Sequence, residues 1–156
     1  MYLACEKGKN LTISNFDEKM FAAARKIAKT SDFETFHLGC VIVYKKHVIG
    51  AASNSDKTHP MQAHYNKYRK FNKTQNGVKH SVHAEIAAIN SIPYTIGKDV
   101  NWDKVKIYIY RICPGKKNGW GLARPCAGCR QAIQDLGIKH LYYTGDDGNL
   151  IYEKLC

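Results

Sequence analysis

Residues 82–90 read Val-His-Ala-Glu-Ile-Ala-Ala-Ile-Asn, and residues 124–130, some forty positions on, read Arg-Pro-Cys-Ala-Gly-Cys-Arg. Each stretch opens a predicted helix, the first over Val82–Asn90 and closed off by Pro93, the second over Cys126–Leu136 and ended by Gly137. Together they offer one imidazole and two thiols, a donor set that suits zinc. Structural zinc sites close with four protein ligands. Here His83, Cys126 and Cys129 are the only donors in such a context, so a fourth place is left for water, as in catalytic sites. His83 and Glu85 are two apart at a helix start, so their side chains diverge. One can bind the ion while the other reaches past it to the water. Cys126 and Cys129 sit in one helical turn behind Pro125, where both can face one ion and the helix N-terminus favours thiolates.

Neither half means much alone. His-x-Glu occurs by chance, and a lone Cys-x-x-Cys also serves thioredoxin-like redox proteins or half of a zinc ribbon. There is no second Cys-x-x-Cys for a ribbon and no strand–Cys-x-x-Cys–helix unit near the N-terminus. The joint pattern is that of zinc deaminases that act on nucleobases, with the glutamate as general acid and base.

The chain resembles the cytidine and deoxycytidylate deaminase superfamily from its first predicted helix to about Thr144. That resemblance implies an α/β three-layer sandwich with a mixed five-stranded sheet flanked by helices, and zinc held between two helix N-termini. It implies that His83, Cys126 and Cys129 are the ligands and Glu85 the proton shuttle. Asn54 is similar to the asparagine that contacts the substrate sugar and base in the deoxycytidylate and tRNA adenosine branches. With Ala84, Lys57 and His59 it makes up the expected substrate-binding set. Arg130-Gln131-Ala132-Ile133 after the cysteines resembles the deoxycytidylate branch. Free-cytidine enzymes carry cysteine where His83 stands, and tRNA adenosine enzymes usually carry an acid where Arg124 stands. The resemblance also implies a homo-oligomer, for which Ile86 and Ile89 offer an apolar helix face.

The rest of the chain is consistent with one domain over 1–156. Asn15–Thr30 is a predicted helix capped by Ser14 with a Met20, Ala23, Ala24, Ile27 stripe. Cys40–Tyr44 and Val48–Ala52 are predicted strands of a hairpin turning at Lys45, Lys46 and His47. Val105–Ile112 and Lys139–Thr144 read as strands, and Leu150–Leu155 as a last strand or helix. Cys5, Cys40, Cys113 and Cys156 are expected as free thiols, Cys40 within a buried strand. Residues 1–10 lack the apolar core of a signal peptide, and no run of about 18 apolar residues exists, so the expected compartment is the cytoplasm.

Net charge is +11, which suits a phosphorylated or polyanionic partner. The segment 53–80 concentrates Lys57, Lys67, Arg69, Lys70, Lys73 and Lys79 against Asp56 alone, interleaved with Tyr65, Tyr68 and Phe71. It is expected as a basic loop insertion. Two substrate classes follow: a free cytidine-type nucleotide such as dCMP, or a base within single-stranded DNA or RNA, for which cations and aromatics are the needed surface. Some deoxycytidylate enzymes place a second, structural zinc in this region, where this chain offers His59, His64 and His80. A catalytically dead binding module is disfavoured by the presence of Glu85.

Overall fold

The computed structural model describes residues 4–10, 13–69, 80–117 and 119–156, with most of the side chains of 4–10 left aside. Lys70, Phe71, Lys73 and Lys79 lie outside the described residues. The elements run β1 (Ala4–Asn10), α1 (Asn15–Ala28), β2 (His37–Tyr44), β3 (His47–Ser53), α2 (Pro60–Tyr65), α3 (Ala84–Ser91), α4 (Tyr94–Gly97), β4 (Lys106–Ile112), α5 (Ala127–Leu136), β5 (His140–Thr144) and β6 (Leu150–Leu155), with 3₁₀ turns at Asn66–Tyr68 and Trp102–Lys104.

The strands form one mixed sheet in the order β1-β6-β5-β4-β2-β3. β4 and β5 are parallel, and the other neighbours are antiparallel. The α/β sheet with helices on both faces is as expected, and β1 extends it to six strands by pairing with β6. Period-2 alternation separates two cores. Val41, Val43, Tyr108 and Tyr142 point to one face, where Phe21 and Ala24 of α1 cover them. Cys40, Ile42, Ile107, Ile109, Leu141 and Tyr143 point to the other, under Ala84 and Ala88 of α3 and Ile133 of α5. Helix α1 begins at Ser14, whose hydroxyl accepts from the Asp17 amide at 3.1 Å. Between β2 and β3, Lys45 and Lys46 both take left-handed φ, 49° and 65°, the backbone that a two-residue hairpin turn requires.

Two expectations are corrected. Cys156 is disulfide-bonded rather than free; Cys40 and Cys113 are free and buried, as expected. The 53–80 segment is not loop throughout. His59 caps α2 through Nδ1, which accepts from the Met61 amide at 3.1 Å, and Pro60 occupies the first turn, where its missing N–H costs nothing. Among the described residues no helix is long and apolar enough to cross a membrane.

Candidate active site

The chain enters α3 along a short antiparallel contact: Val82 N–H donates to Lys57 O, Ser55 N–H to Val82 O, and Thr58 bridges Ser81. His83 follows as the cap residue of α3 in extended conformation, and its side chain makes no capping bond. The ring is therefore turned away from its own helix. Its Nδ1 lies 3.5 Å from Cys126 Sγ and 3.3 Å from Cys129 Sγ. Cys126 is in turn the cap of α5, its sulfur receiving the Cys129 amide at 3.5 Å. Both helix N-termini thus converge on one point.

These three residues are the metal-capable cluster among the described residues, all donor atoms lying within 4.8 Å of one another. Bonds of about 2.0–2.1 Å to nitrogen and 2.3 Å to sulfur at a tetrahedral ion put N···S edges near 3.5 Å. The observed separations fit that edge, so the donors match zinc in kind and in spacing. A zinc ion held there supplies Lewis acidity towards a water.

The three donors shape one another's electrostatics. The hydrogen bond to Cys129 outweighs burial and, with His83, pulls the Cys126 thiol down to about 3. Burial, reinforced by Cys126 and Glu85, pushes the Cys129 thiol far up. Holding a metal would require both sulfurs as thiolates. For His83, burial pulls the imidazole down, but the Cys126 hydrogen bond and the Glu85 charge carry it above its usual value.

Glu85 lies in the first turn of α3, only 3% exposed, with its carboxyl against the Cys129 thiol. Burial raises its proton affinity. A carboxyl so tuned can take a proton from a water and return it to a neighbouring nitrogen.

The expected substrate residues fare differently. Asn54 follows β3, 3% exposed, and its Oδ1 accepts from Leu38 N at 2.9 Å and Ser31 Oγ at 2.6 Å, while Nδ2 donates to Phe36 O at 3.3 Å. It joins β2 to the loop after α1, and one amide hydrogen remains. Ala84 is wholly buried in the core under α3. Lys57 is exposed and holds Val82 through its carbonyl. His59 caps α2 and lies 3.4 Å from Asn90. The three histidines considered for a second metal do not gather: His64 packs edge-on against Tyr65, and His80 Nδ1 is bonded to Asn66 at 2.7 Å. Ile86 is fully buried within the chain's own core, alongside Cys129 and Ala132, so it leaves no face for a partner.

Gln62, to which the sequence pattern gave no role, and Arg69 and Arg124, to which it gave other roles, complete the surroundings. Gln62 Oε1 accepts from His83 N–H at 2.9 Å. Arg69 places a guanidinium nitrogen 3.4 Å from His83 Nε2. Arg124, next to Pro125, forms a two-pronged ion pair with Glu153 of β6 at 3.1 and 2.9 Å, and Tyr143 OH donates to the same carboxylate at 2.8 Å. A Cβ on Gly128 would lie 2.7 Å from the Tyr65 carbonyl, so the glycine lets the α2 segment rest directly on α5.

No curated protein sequence matches significantly. Among solved structures, dCMP deaminase from the cyanophage S-TIM5 in apo form aligns at TM-score 0.54 and 16% identity over 83% of this chain and 82% of its own. The same enzyme in complex with dCMP and dUMP aligns at TM-score 0.56 and 14% identity over 87% and 85%. A structure from work on A-to-I editing by tRNA:A34 deaminases aligns at TM-score 0.44 and 21% identity over 85% and 75%. At 14–16% identity, the two alignments to the cyanophage enzyme establish the fold and no more. The family model for the cytidine and deoxycytidylate deaminase zinc-binding region matches residues 14–144, spanning His83, Glu85, Cys126 and Cys129, and with a zinc-fitting donor set beside a buried glutamate the chain belongs to that family as a nucleobase deaminase.

Proposed function

We propose that the protein hydrolyses the exocyclic amine of cytosine in a free nucleotide, with dCMP as the first compound to test. His83, Cys126 and Cys129 are the zinc ligands, and Glu85 is the proton shuttle. The observation that carries this reading is the buried Glu85 carboxyl lying against the His83–Cys126–Cys129 cluster. Glu85 takes a proton from the water that adds to the ring carbon bearing the amine. It then delivers protons to the ring nitrogen and to the departing ammonia, so that cytosine and water become uracil and ammonia. The cyanophage enzyme whose complex holds dCMP and dUMP shares this fold, and the Arg130-Gln131-Ala132-Ile133 run supports the same branch.

The described part of the basic segment favours a single nucleotide over a strand. Tyr65 donates its hydroxyl to Asp135 at 2.8 Å and stacks on Tyr68, while Lys67 sits over the Tyr68 ring. These aromatics are committed to one another, whereas a strand needs ring faces left open for bases. A second reading, a deaminase of bases in single-stranded DNA or RNA, draws on Tyr68, which is 42% exposed. Assembly into a homo-oligomer and a cytoplasmic location belong to the same proposal; Tyr94, 80% exposed, is apolar surface that assembly would cover.

Incubating zinc-loaded protein with dCMP, deoxycytidine and labelled single strands at several salt concentrations tests the substrate. The expected result is turnover of dCMP with little salt dependence. Turnover of oligonucleotides alone, with log affinity falling against log salt by about 0.7 per phosphate contact, would overturn it in favour of the strand reading.

A further inference from the structure

Gln62 and Asn66 are polar yet 0% and 3% exposed, which requires partners on every side. Their bonds form a directed chain. His83 N–H donates to Gln62 Oε1 at 2.9 Å, Gln62 Nε2 to Asn66 Oδ1 at 2.8 Å, and Asn66 Nδ2 to His80 Nδ1 at 2.7 Å. A backbone N–H can only donate, so the Gln62 atom facing it is the oxygen, and the amide orientations of both residues follow. Asn66 Oδ1 also receives Arg69 at 3.3 Å, the same guanidinium group that lies against His83 Nε2. The chain thus reaches His83 twice, at its backbone and at the ring nitrogen turned away from the thiols.

The helix does not fix His83 by itself, because the imidazole makes no capping bond to α3. We propose that Gln62, ordered by Asn66, is a positioning residue for the metal centre, holding the His83 backbone so that Nδ1 stays on the Cys126–Cys129 pair. This rests on His83 being a ligand. Deleting the Gln62 acceptor leaves the His83 N–H without its partner and frees the ring to leave the thiols. Helix α2 itself survives such a change, since Met61 and Tyr65 pack it onto Ile86, Cys129 and Ala132.

Zinc release from loaded protein into excess metallochromic chelator reads this directly, with the melting temperature of each sample as companion. Gln62→Met is expected to release zinc about tenfold faster or more, the usual scale for losing support behind a ligand. Tyr108→Phe, which removes the distant bond to Asp17, serves as a control that lowers stability without touching the chain of amides. Asn66→Ala should accelerate release as well. Asn66→Asp, which keeps the acceptor for Gln62 and Arg69, should stay within about threefold of wild type. Equal release rates for Gln62→Met and Tyr108→Phe at similar melting temperatures would overturn the proposal, as would an unchanged rate in both Gln62→Met and Asn66→Ala. Wild-type protein that retains no zinc would overturn the ligand assignment itself, and the role of Gln62 with it.

Discussion

The two helix starts that meet at the metal site are built in opposite ways. At α5 the support is local: Pro125 leads in, Cys126 caps the helix with its own sulfur, and Cys129 follows one turn later. At α3 the cap residue His83 makes no capping bond, and its backbone is held by Gln62, twenty-one positions earlier in the chain. One pair of proposed ligands is therefore written in four consecutive residues. The third proposed ligand, His83, depends on a segment that reaches the site only once the chain has folded. The difference teaches that a short motif can name a ligand without naming what holds it in place.

The comparison can be broken first at the local side. Cys126→Ser and Cys129→Ser each remove a donor of the cluster, so zinc measured by elemental analysis should fall from about one per chain to well below it, and turnover should vanish. Retention of full zinc by both would show that the metal sits elsewhere. Next comes the anchor behind Pro125. Arg124→Met takes the cation from the buried Glu153 carboxylate while the Tyr143 hydroxyl bond stays; breaking a wholly buried pair costs about 3–5 kcal/mol. Arg124 is 42% exposed, so on the order of 2 kcal/mol is expected in denaturant unfolding. The meeting of the two sides is sharpened by Gly128→Ala. The added methyl meets the Tyr65 carbonyl, and overpacking of that kind costs about 1–3 kcal/mol. The smallest effect lies far from both helix starts. Burial, aided by Lys154 and Lys106, lowers the His140 pKa below its usual 6.5. Below about pH 6.5 the unfolded chain binds a proton that folded His140 refuses, so stability present above that pH is lost as pH falls. His140→Gln should flatten this acid loss just below about pH 6.5 in melting curves, and an unaltered slope would contradict the assignment.

Local signals explain what was readable in the sequence. Ser14 announced α1, the Lys45–Lys46 turn announced the β2–β3 hairpin, and Gly137 closed α5 with its left-handed φ of 92°. The cluster of His83, Cys126 and Cys129 is legible from donor type and spacing together, because each half sits within one turn of a helix start. Helix α2 is hard to read because it is only six residues long and buries the amide of Gln62 beside Met61 and Tyr65, which breaks the apolar period that marks a helix. Strand β1 is hard to read for a related reason. Its charged Glu6, Lys7 and Lys9 suit an edge strand but hide the alternation that marks a half-buried one. Asn54 was found by resemblance, yet the bonds that bury it, to Ser31, Phe36 and Leu38, come from residues that only folding brings near.

The central claim is that metal binding and proton transfer are carried by different residues at one point, the first by His83, Cys126 and Cys129 and the second by Glu85. Zinc content and dCMP turnover measured on the same preparation of Glu85→Gln test it most directly, since the amide keeps the volume and removes the proton carrier. The expected result is zinc at the wild-type level with turnover lowered about 10² to 10⁴-fold. Turnover above about a tenth of the wild-type rate with zinc intact would contradict the account, because positioned proton transfer is worth more than that.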